Sequence, residues 1–147
     1  MTEEPTTSGD DRGDGDEGVE SGMKGHGSIS YLHIPAVDAD RSAEFYAAVL
    51  GWRVRTGGGG SRAGFEDGSG HLGGAFVTNQ AISREPGLLP YIYVDRIDET
   101  IERVLAGGGE VVTEPYPEGN LWVATFRDPA GNVMGLWQEG PREVAVH

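Results

Sequence analysis

The chain of 147 residues contains no cysteine, which excludes disulfides, thiolate nucleophiles and zinc sites built on cysteine. Basic residues are also few, since 11 Lys and Arg face 24 Asp and Glu, giving a formal net charge of −13. This charge argues against nucleic acids and anionic membranes as partners, because both attract clustered Lys and Arg. Neutral or cationic small molecules remain as ligands.

Long apolar runs are missing as well. No stretch approaches the roughly 20 apolar residues of a membrane helix, and the chain does not begin with the apolar segment of a signal peptide. We therefore expect a cytoplasmic protein. Residues 1–28 carry eight acidic and two basic residues and almost no bulky apolar side chain. This composition predicts a disordered acidic leader.

The remaining residues, 29–147, hold 16 acidic and 9 basic side chains, a net charge of −7. They divide into a single folded domain at 29–140 and a short C-terminal tail at 141–147. A negative body favours cationic ligands through long-range attraction.

Glycine is the abundant residue, with 25 copies, and together with apolar spacing it marks the element boundaries. In the first half, a strand at Ile29–Pro35 precedes a helix that Asp38 or Asp40 caps and Gly51 ends. Three strands follow, at 52–55, 62–66 and 72–78.

The same order recurs in the second half of the domain. The predicted strands lie at 88–94, 110–113, 121–126 and 133–138, with a helix from Ile97 through Leu105. Displacing the chain by about 61 residues lays Asp67 on Asp128 and Gly74 on Gly135, which indicates an internal repeat. The predicted fold is α+β: two tandem βαβββ units, at 29–79 and 88–140, form curved mixed sheets around a cavity, with helices packed outside.

Three segments are typical of one superfamily: the first strand, the helix residues Phe45-Tyr46 with Leu50-Gly51-Trp52, and the turn 128–132, Asp-Pro-Ala-Gly-Asn. In these residues the chain resembles the vicinal oxygen chelate superfamily. Its members include glyoxalase I, extradiol dioxygenases, fosfomycin-resistance transferases and bleomycin resistance proteins. The resemblance implies a glyoxalase-like fold and also a homodimer, with the cavity either within one chain or between units of different subunits.

The resemblance further implies a divalent metal ion, which acts as a Lewis acid on two neighbouring substrate oxygens. Its ligand positions fall on the first and last strands of each unit, at Tyr31, Gly74, Leu89 (Leu88 with a one-residue slip) and Gly135. Leucine and glycine side chains carry no donor, and the tyrosine phenol has a pKa of about 10. We therefore expect no cofactor. The alternative is a divalent metal ion held outside the usual ligand positions by His33 and either His71 or Glu66.

Strand alternation places His33 on the same face as Tyr31, two positions earlier. A neutral histidine there acts as a general base, a ligand donor or a packing residue. Alternation also groups Leu89, Tyr91 and Tyr93 on one strand. We expect a flat aromatic pocket, in which the repeated glycines Gly74 and Gly135 leave open space at the floor. The side chains that form its walls are Tyr31, His33, Tyr91, Tyr93 and Trp137.

The alternative interpretation assigns these aromatic residues to packing between sheet and helix, the role also predicted for Trp52 and Trp122. Two functions follow from the pocket. The first is a metal-free binding protein for a planar, aromatic or cationic small molecule, of the sequestration or resistance type. The second is an enzyme of lyase, isomerase or dioxygenase type, with either the off-pattern metal or His33 as base and Tyr31 as proton donor.

Overall fold

The computed structural model describes residues 25–142. Most of the predicted acidic leader, residues 1–24, and the end of the predicted tail, residues 143–147, lie outside the described residues. Neither helix between residues 25 and 142 has the length and apolar character needed to cross a bilayer.

Both predicted units are present, each with one helix and four strands. The elements are β1 (Tyr31–Pro35), α1 (Ala39–Leu50), β2 (Arg53–Arg55), β3 (Arg62–Glu66), β4 (Gly73–Val77), β5 (Tyr91–Tyr93), α2 (Ile97–Ala106), β6 (Glu110–Glu118), β7 (Leu121–Arg127) and β8 (Val133–Glu139).

Two strand lengths differ from the prediction. β5 covers three residues instead of the predicted 88–94, and Pro90, which has no N–H for a strand ladder, directly precedes it. β6 runs on to Glu118, beyond the predicted end at Thr113, and its pairing with β7 shifts register on both sides of Thr113. Such shifts mark bulges, which strand periodicity does not reveal.

Each unit forms its own four-stranded sheet, in the orders β1-β4-β3-β2 and β5-β8-β7-β6. The first and last strands of each unit pair in parallel, and the other pairs are antiparallel. The predicted fold class, with two tandem βαβββ units and mixed sheets, is confirmed. β1 and β5 lie at the edges of their sheets.

Helix α1 begins and ends where the sequence predicts. The Asp38 side chain accepts hydrogen bonds from the backbone N–H groups of Asp40 and Arg41, at 3.1 and 3.3 Å. Gly51 closes the helix with φ of 73°, a left-handed conformation that glycine adopts without strain.

The buried face of α1 packs on aromatic residues of the first unit. Trp52 is 7% exposed, and its ring stacks on those of Tyr46 and Phe65, with centroids 4.8 and 4.9 Å away. Trp122 in the second unit is half-buried and packs against the same core. The predicted packing role of both tryptophans is therefore confirmed.

The Asp-Pro-Ala-Gly-Asn turn joins the two units. One oxygen of the buried Asp128 carboxylate accepts from the backbone N–H groups of residues 130, 131 and 132. The other oxygen accepts from the Tyr46 hydroxyl of α1 at 2.8 Å and from the Asn132 amide at 3.0 Å. The same amide donates to the Pro35 carbonyl of β1 at 2.7 Å. This network links the second unit to both the helix and the first strand of the first unit.

Tyr46 is fully buried, and burial, together with the neighbouring Asp128 carboxylate, raises its pKa well above the usual value. Its phenol therefore stays protonated and donates to Asp128 throughout the physiological pH range.

Candidate functional site

Helix α1 covers one face of the first sheet, and the other face carries the two residues predicted to line the pocket. Leu32 and Ile34 of β1 point to the core, whereas Tyr31 and His33 alternate with them and are exposed. Tyr31 is 57% exposed, and its ring lies edge-on to the His33 imidazole, with centroids 5.7 Å apart. The predicted side-by-side placement of Tyr31 and His33 is present on the open face of the first sheet.

Both side chains are positioned by hydrogen bonds. Arg62 of β3 donates through Nη2 to the Tyr31 hydroxyl oxygen at 2.9 Å. The Gln80 amide nitrogen lies 2.9 Å from His33 Nδ1. With the amide assigned in this orientation, Gln80 donates to Nδ1, and the proton of the neutral imidazole lies on Nε2. In this tautomer Nε2 is a hydrogen-bond donor; in the other tautomer, Nε2 is the acceptor that a general base requires.

The remaining predicted wall residues lie on the open face of the second sheet. Tyr91 pairs with Gly135 and Tyr93 with Trp137 in the parallel ladder of β5 and β8. The Tyr93 and Trp137 rings make an edge contact at 5.0 Å, and the two tyrosines are 45% and 50% exposed. Among residues 25–142, no ring contact joins this set to Tyr31 and His33. The five predicted walls therefore form two aromatic faces, one on each sheet.

The second face is acidic. Partial burial raises the pKa of Tyr91, helped by the nearby Tyr116 and Glu118. A hydrogen bond to Asp95 raises the pKa of Tyr93, with a smaller contribution from Glu139. Both tyrosines are thus held in their neutral form near carboxylates.

The predicted open floor at the two repeated glycines is wrong. Gly74 pairs with Leu32 and faces the core, where an added Cβ would lie 2.6 Å from the Phe65 ring. At Gly135 an added Cβ would lie 2.5 Å from the Tyr91 ring, so this ring fills the space above the glycine. The glycine beside Tyr31 on the open face is Gly73. The internal repeat, with its displacement of about 61 residues, predicts Gly74 at this position instead.

Leu89 lies before β5 instead of within it, and it is half-buried. A cavity of about 700 Å³ opens nearby, where residues 48–52 of the first unit meet residues 90–96 of the second. Its apolar lining includes Leu32, Trp52, Ile92 and Met134. Tyr91 and Tyr93 also border it, but Tyr31 and His33 do not. The cavity is therefore a separate feature from the Tyr31 face.

The donors present do not fit the metal ion that the superfamily resemblance implies. The predicted positions on the first and last strands carry glycine, leucine and tyrosine. In the part of the chain that the structure describes, no three His, Asp or Glu side chains converge as a metal site would require. Glu66, a member of the alternative set with His33 and His71, is bound instead by Arg53 at 2.7 Å.

Sequence patterns do not predict three further polar residues: Arg62 and Gln80, which hydrogen-bond to Tyr31 and His33, and Arg55, which stands in the same cross-strand row as His33. The local sequence signal for Arg55 and Arg62 is the alternation within β2 and β3, which places every second residue of each strand on the open face. It does not tell which residues of the two strands stand opposite each other, because that depends on the register.

Comparisons with known proteins agree with this architecture. Residues 31–137 match the family model described as a glyoxalase-like domain. The protein CFP32 of Mycobacterium bovis is 28% identical over an alignment of 130 residues, which covers 76% of this chain and 46% of CFP32. The chain thus spans about half the length of this relative. A glyoxylase-like domain-containing protein of Didymella fabae is also 28% identical, over 76% of this chain and 93% of that protein.

Solved structures with this fold are more distant in sequence. A glyoxalase/bleomycin resistance protein/dioxygenase family enzyme from Burkholderia phytofirmans PsJN has a TM-score of 0.62 at 19% identity, over 75% of this chain and 97% of that one. A glyoxalase/bleomycin resistance protein from Albidiferax ferrireducens T118 has a TM-score of 0.61 at 21% identity, over 76% and 98%. At these identities the likeness shows the fold alone.

Proposed function

This chain belongs to the glyoxalase-like domain family, and on this basis we propose that the protein binds a small molecule without a metal ion. The ligand lies on the open face of the first sheet, against Tyr31 and His33. The observation that carries this proposal is the half-exposed aromatic pair, held by hydrogen bonds at 2.9 Å to Arg62 and Gln80. Fixed side chains of this kind lower the entropic cost of binding.

The ligand has a planar or aromatic part. Tyr31 and His33 make an edge contact, and small residues lie beside them, Gly73 next to Tyr31 and Ala75 next to His33. A flat group can pack on such a surface, since aromatic pairs contribute about 0.5–1.5 kcal/mol beyond the area they bury. The described residues offer no donor set for a Lewis acid, so holding the ligand is the activity they support, and this suits a sequestration or resistance role.

We infer that a second copy of the chain closes the site. Large apolar side chains remain exposed on both open faces, among them Tyr31 on the first and Tyr91 and Tyr93 on the second. The second face is acidic, so its carboxylates complement the arginine charge of the first face that a bound ligand leaves unpaired. Sedimentation velocity at the concentrations used for ligand titration should give the mass of a dimer; a monomer mass with ligand bound would reject closure by a second copy.

A thermal-shift screen of metal-stripped protein tests the binding function. We expect at least one planar aromatic compound to raise the unfolding temperature by several degrees as its concentration rises toward 100 times Kd, because a ligand that binds only the native state stabilises it by about 2.7 kcal/mol at that excess. The shift should be lost in Tyr31→Ala and kept in Leu88→Ala, a control at a side chain that is 90% exposed and belongs to neither sheet.

The outcomes separate the two candidate functions. A flat response across a broad panel of aromatic compounds would reject binding. Consumption of a compound by wild-type protein, abolished in His33→Ala, would instead support an enzyme that uses His33 in proton transfer.

A further inference from the structure

The strand pairings of the first sheet place four residues in one row across its open face. Arg55 of β2 stands opposite Gly64 of β3, Gly64 opposite Ala75 of β4, and Ala75 beside His33 of β1. Residues paired in this way share a face of the sheet. The two central residues have little or no side chain and form the floor of this row, with Ala75 buried and Gly64 half-buried beneath the side chains around them.

The Arg55 guanidinium lies on this floor. A Cβ added at Gly64 would be 2.7 Å from Arg55 Nη2 and 3.1 Å from Cζ. The backbone of Gly64 is not in the left-handed region, so its conformation does not require glycine. The side chain of Arg55 therefore reaches across to β3 and lies over the backbone of Gly64.

Arg62 and Tyr31 meet above the same row from opposite sides. Arg62 stands opposite Val77, two residues along β4 from Ala75, and Tyr31 stands beside Gly73, two residues away in the other direction. Their hydrogen bond of 2.9 Å spans this distance. The Arg55 guanidinium thus lies over Gly64, while Arg62, Tyr31 and His33 surround Ala75 on the same face.

These four groups all present donors. The Tyr31 oxygen accepts from Arg62, which leaves its own O–H to donate, and His33 carries its proton on Nε2 when Gln80 donates to Nδ1. The carboxylate on this face, Glu66, is bound by Arg53 at 2.7 Å. Within residues 25–142, neither Arg55 nor Arg62 forms a salt bridge. The face therefore has excess positive charge in a chain of net charge −13.

We propose that Arg55, Arg62, Tyr31 and His33 form an oxyanion-binding subsite that takes the carboxylate or phosphate of a small organic ligand. The planar fork of arginine matches both groups, because it offers two parallel N–H donors to two oxygens. This inference rests on the proposed binding function and deepens it. The aromatic part of the ligand packs on Tyr31 and His33, and its anionic group lies against the guanidinium groups of Arg55 and Arg62.

Calorimetric titration of metal-free, full-length protein with three aromatic probes tests the subsite. The probes are benzoate, phenyl phosphate and uncharged benzamide. We expect at least one of the two anions to bind at least about tenfold more tightly than benzamide, and the difference to shrink at high salt. The ratio of benzoate to phenyl phosphate affinity tells which oxyanion the subsite takes.

Variants at exposed arginines supply the matched comparison. Arg55→Gln and Arg62→Gln should each weaken binding of the preferred anion about ten- to a hundredfold, the loss expected for hydrogen bonds to a charged group. Arg53→Gln, on the same face but paired with Glu66, should change the affinity by less than about threefold. Unchanged circular dichroism shows that the variants fold.

Three results would overturn the subsite. Benzamide binding as tightly as both anions would reject the oxyanion and leave the binding function standing. Anion affinity that is unchanged in both Arg55→Gln and Arg62→Gln would place the anion elsewhere. Binding of none of the three probes to wild-type protein would count against the subsite, whereas the broader thermal-shift panel decides the binding function itself.

Discussion

Replacing Asp128 with alanine should lower the free energy of unfolding by about 3–5 kcal/mol. The carboxylate is buried and accepts five hydrogen bonds, among them those of Tyr46 and of the Asn132 amide. Its removal leaves buried donors of both units without an acceptor, and each unsatisfied donor costs about 1–3 kcal/mol. Urea unfolding monitored by tryptophan fluorescence measures the loss.

Asp67 provides the control, since the internal repeat lays it on Asp128. Its carboxylate also holds a turn, accepting from the Ser69 N–H and hydroxyl and from the Gly70 N–H, but these groups are exposed. Water replaces a lost exposed acceptor, so Asp67→Ala should cost less than about 1 kcal/mol. Equal losses at Asp67 and Asp128 would contradict the inter-unit role of Asp128. A double-mutant cycle with Tyr46→Phe should show coupling between Asp128 and Tyr46.

Gly74→Ala should destabilise the fold by about 3 kcal/mol or prevent folding, which is the upper range for overpacking a core. An added Cβ would collide with the Leu32 carbonyl oxygen and lie 2.6 Å from the Phe65 ring. The carbonyl belongs to the paired strand β1 and cannot move without breaking the ladder. Thermal unfolding followed by circular dichroism measures the change in stability.

The neighbouring Gly73→Ala is the matched control. A Cβ at Gly73 would find its nearest neighbour, the Phe65 carbonyl oxygen, at 3.4 Å, an ordinary contact. Alanine there should change stability by less than about 1 kcal/mol, with a small gain from the less flexible unfolded chain. A Gly74→Ala protein as stable as Gly73→Ala would show that Gly74 does not face the core as described.

The order of elements could be predicted from the sequence because its signals are local. The cap at Asp38, the stop at Gly51 and the alternation along β3 each depend on a few neighbouring residues. The hydrogen bond between Tyr46 and Asp128 joins residues 82 positions apart, so no local pattern reveals it. The sequence signature at residues 128–132 therefore predicts a turn, whereas only the tertiary structure reveals that this turn joins the units.

Register limited the prediction of the site. A one-residue error in register turns a side chain to the other face of a sheet. Gly74 and Gly73 differ by one such step: Gly74 faces the core, whereas Gly73 lies beside Tyr31 on the open face. Tyr31 and His33 were placed correctly relative to each other because both belong to one strand. Arg55 and Arg62 belong to other strands, and only the pairing with β3 and β4 brings them to His33 and Tyr31.

Net charge and local charge favour different ligands. A body charge of −7 predicts a cationic ligand, yet it sums side chains without regard to position. On the open face of the first sheet, the local charge near Tyr31 is positive because Arg55 and Arg62 have no carboxylate partner among the described residues. The contacts within a few ångströms select a ligand, whereas the distant acidic groups are screened by salt.

Chemical-shift mapping of the metal-free, isotope-labelled protein with a bound aromatic ligand tests the central claim most directly. Binding on the open face of the first sheet should shift the resonances of Tyr31, His33 and Ala75 and the side-chain Nε–H of Arg62. Shifts confined to Leu32, Ile92 and Met134 would place the ligand in the cavity of about 700 Å³ between the units and contradict the proposed site.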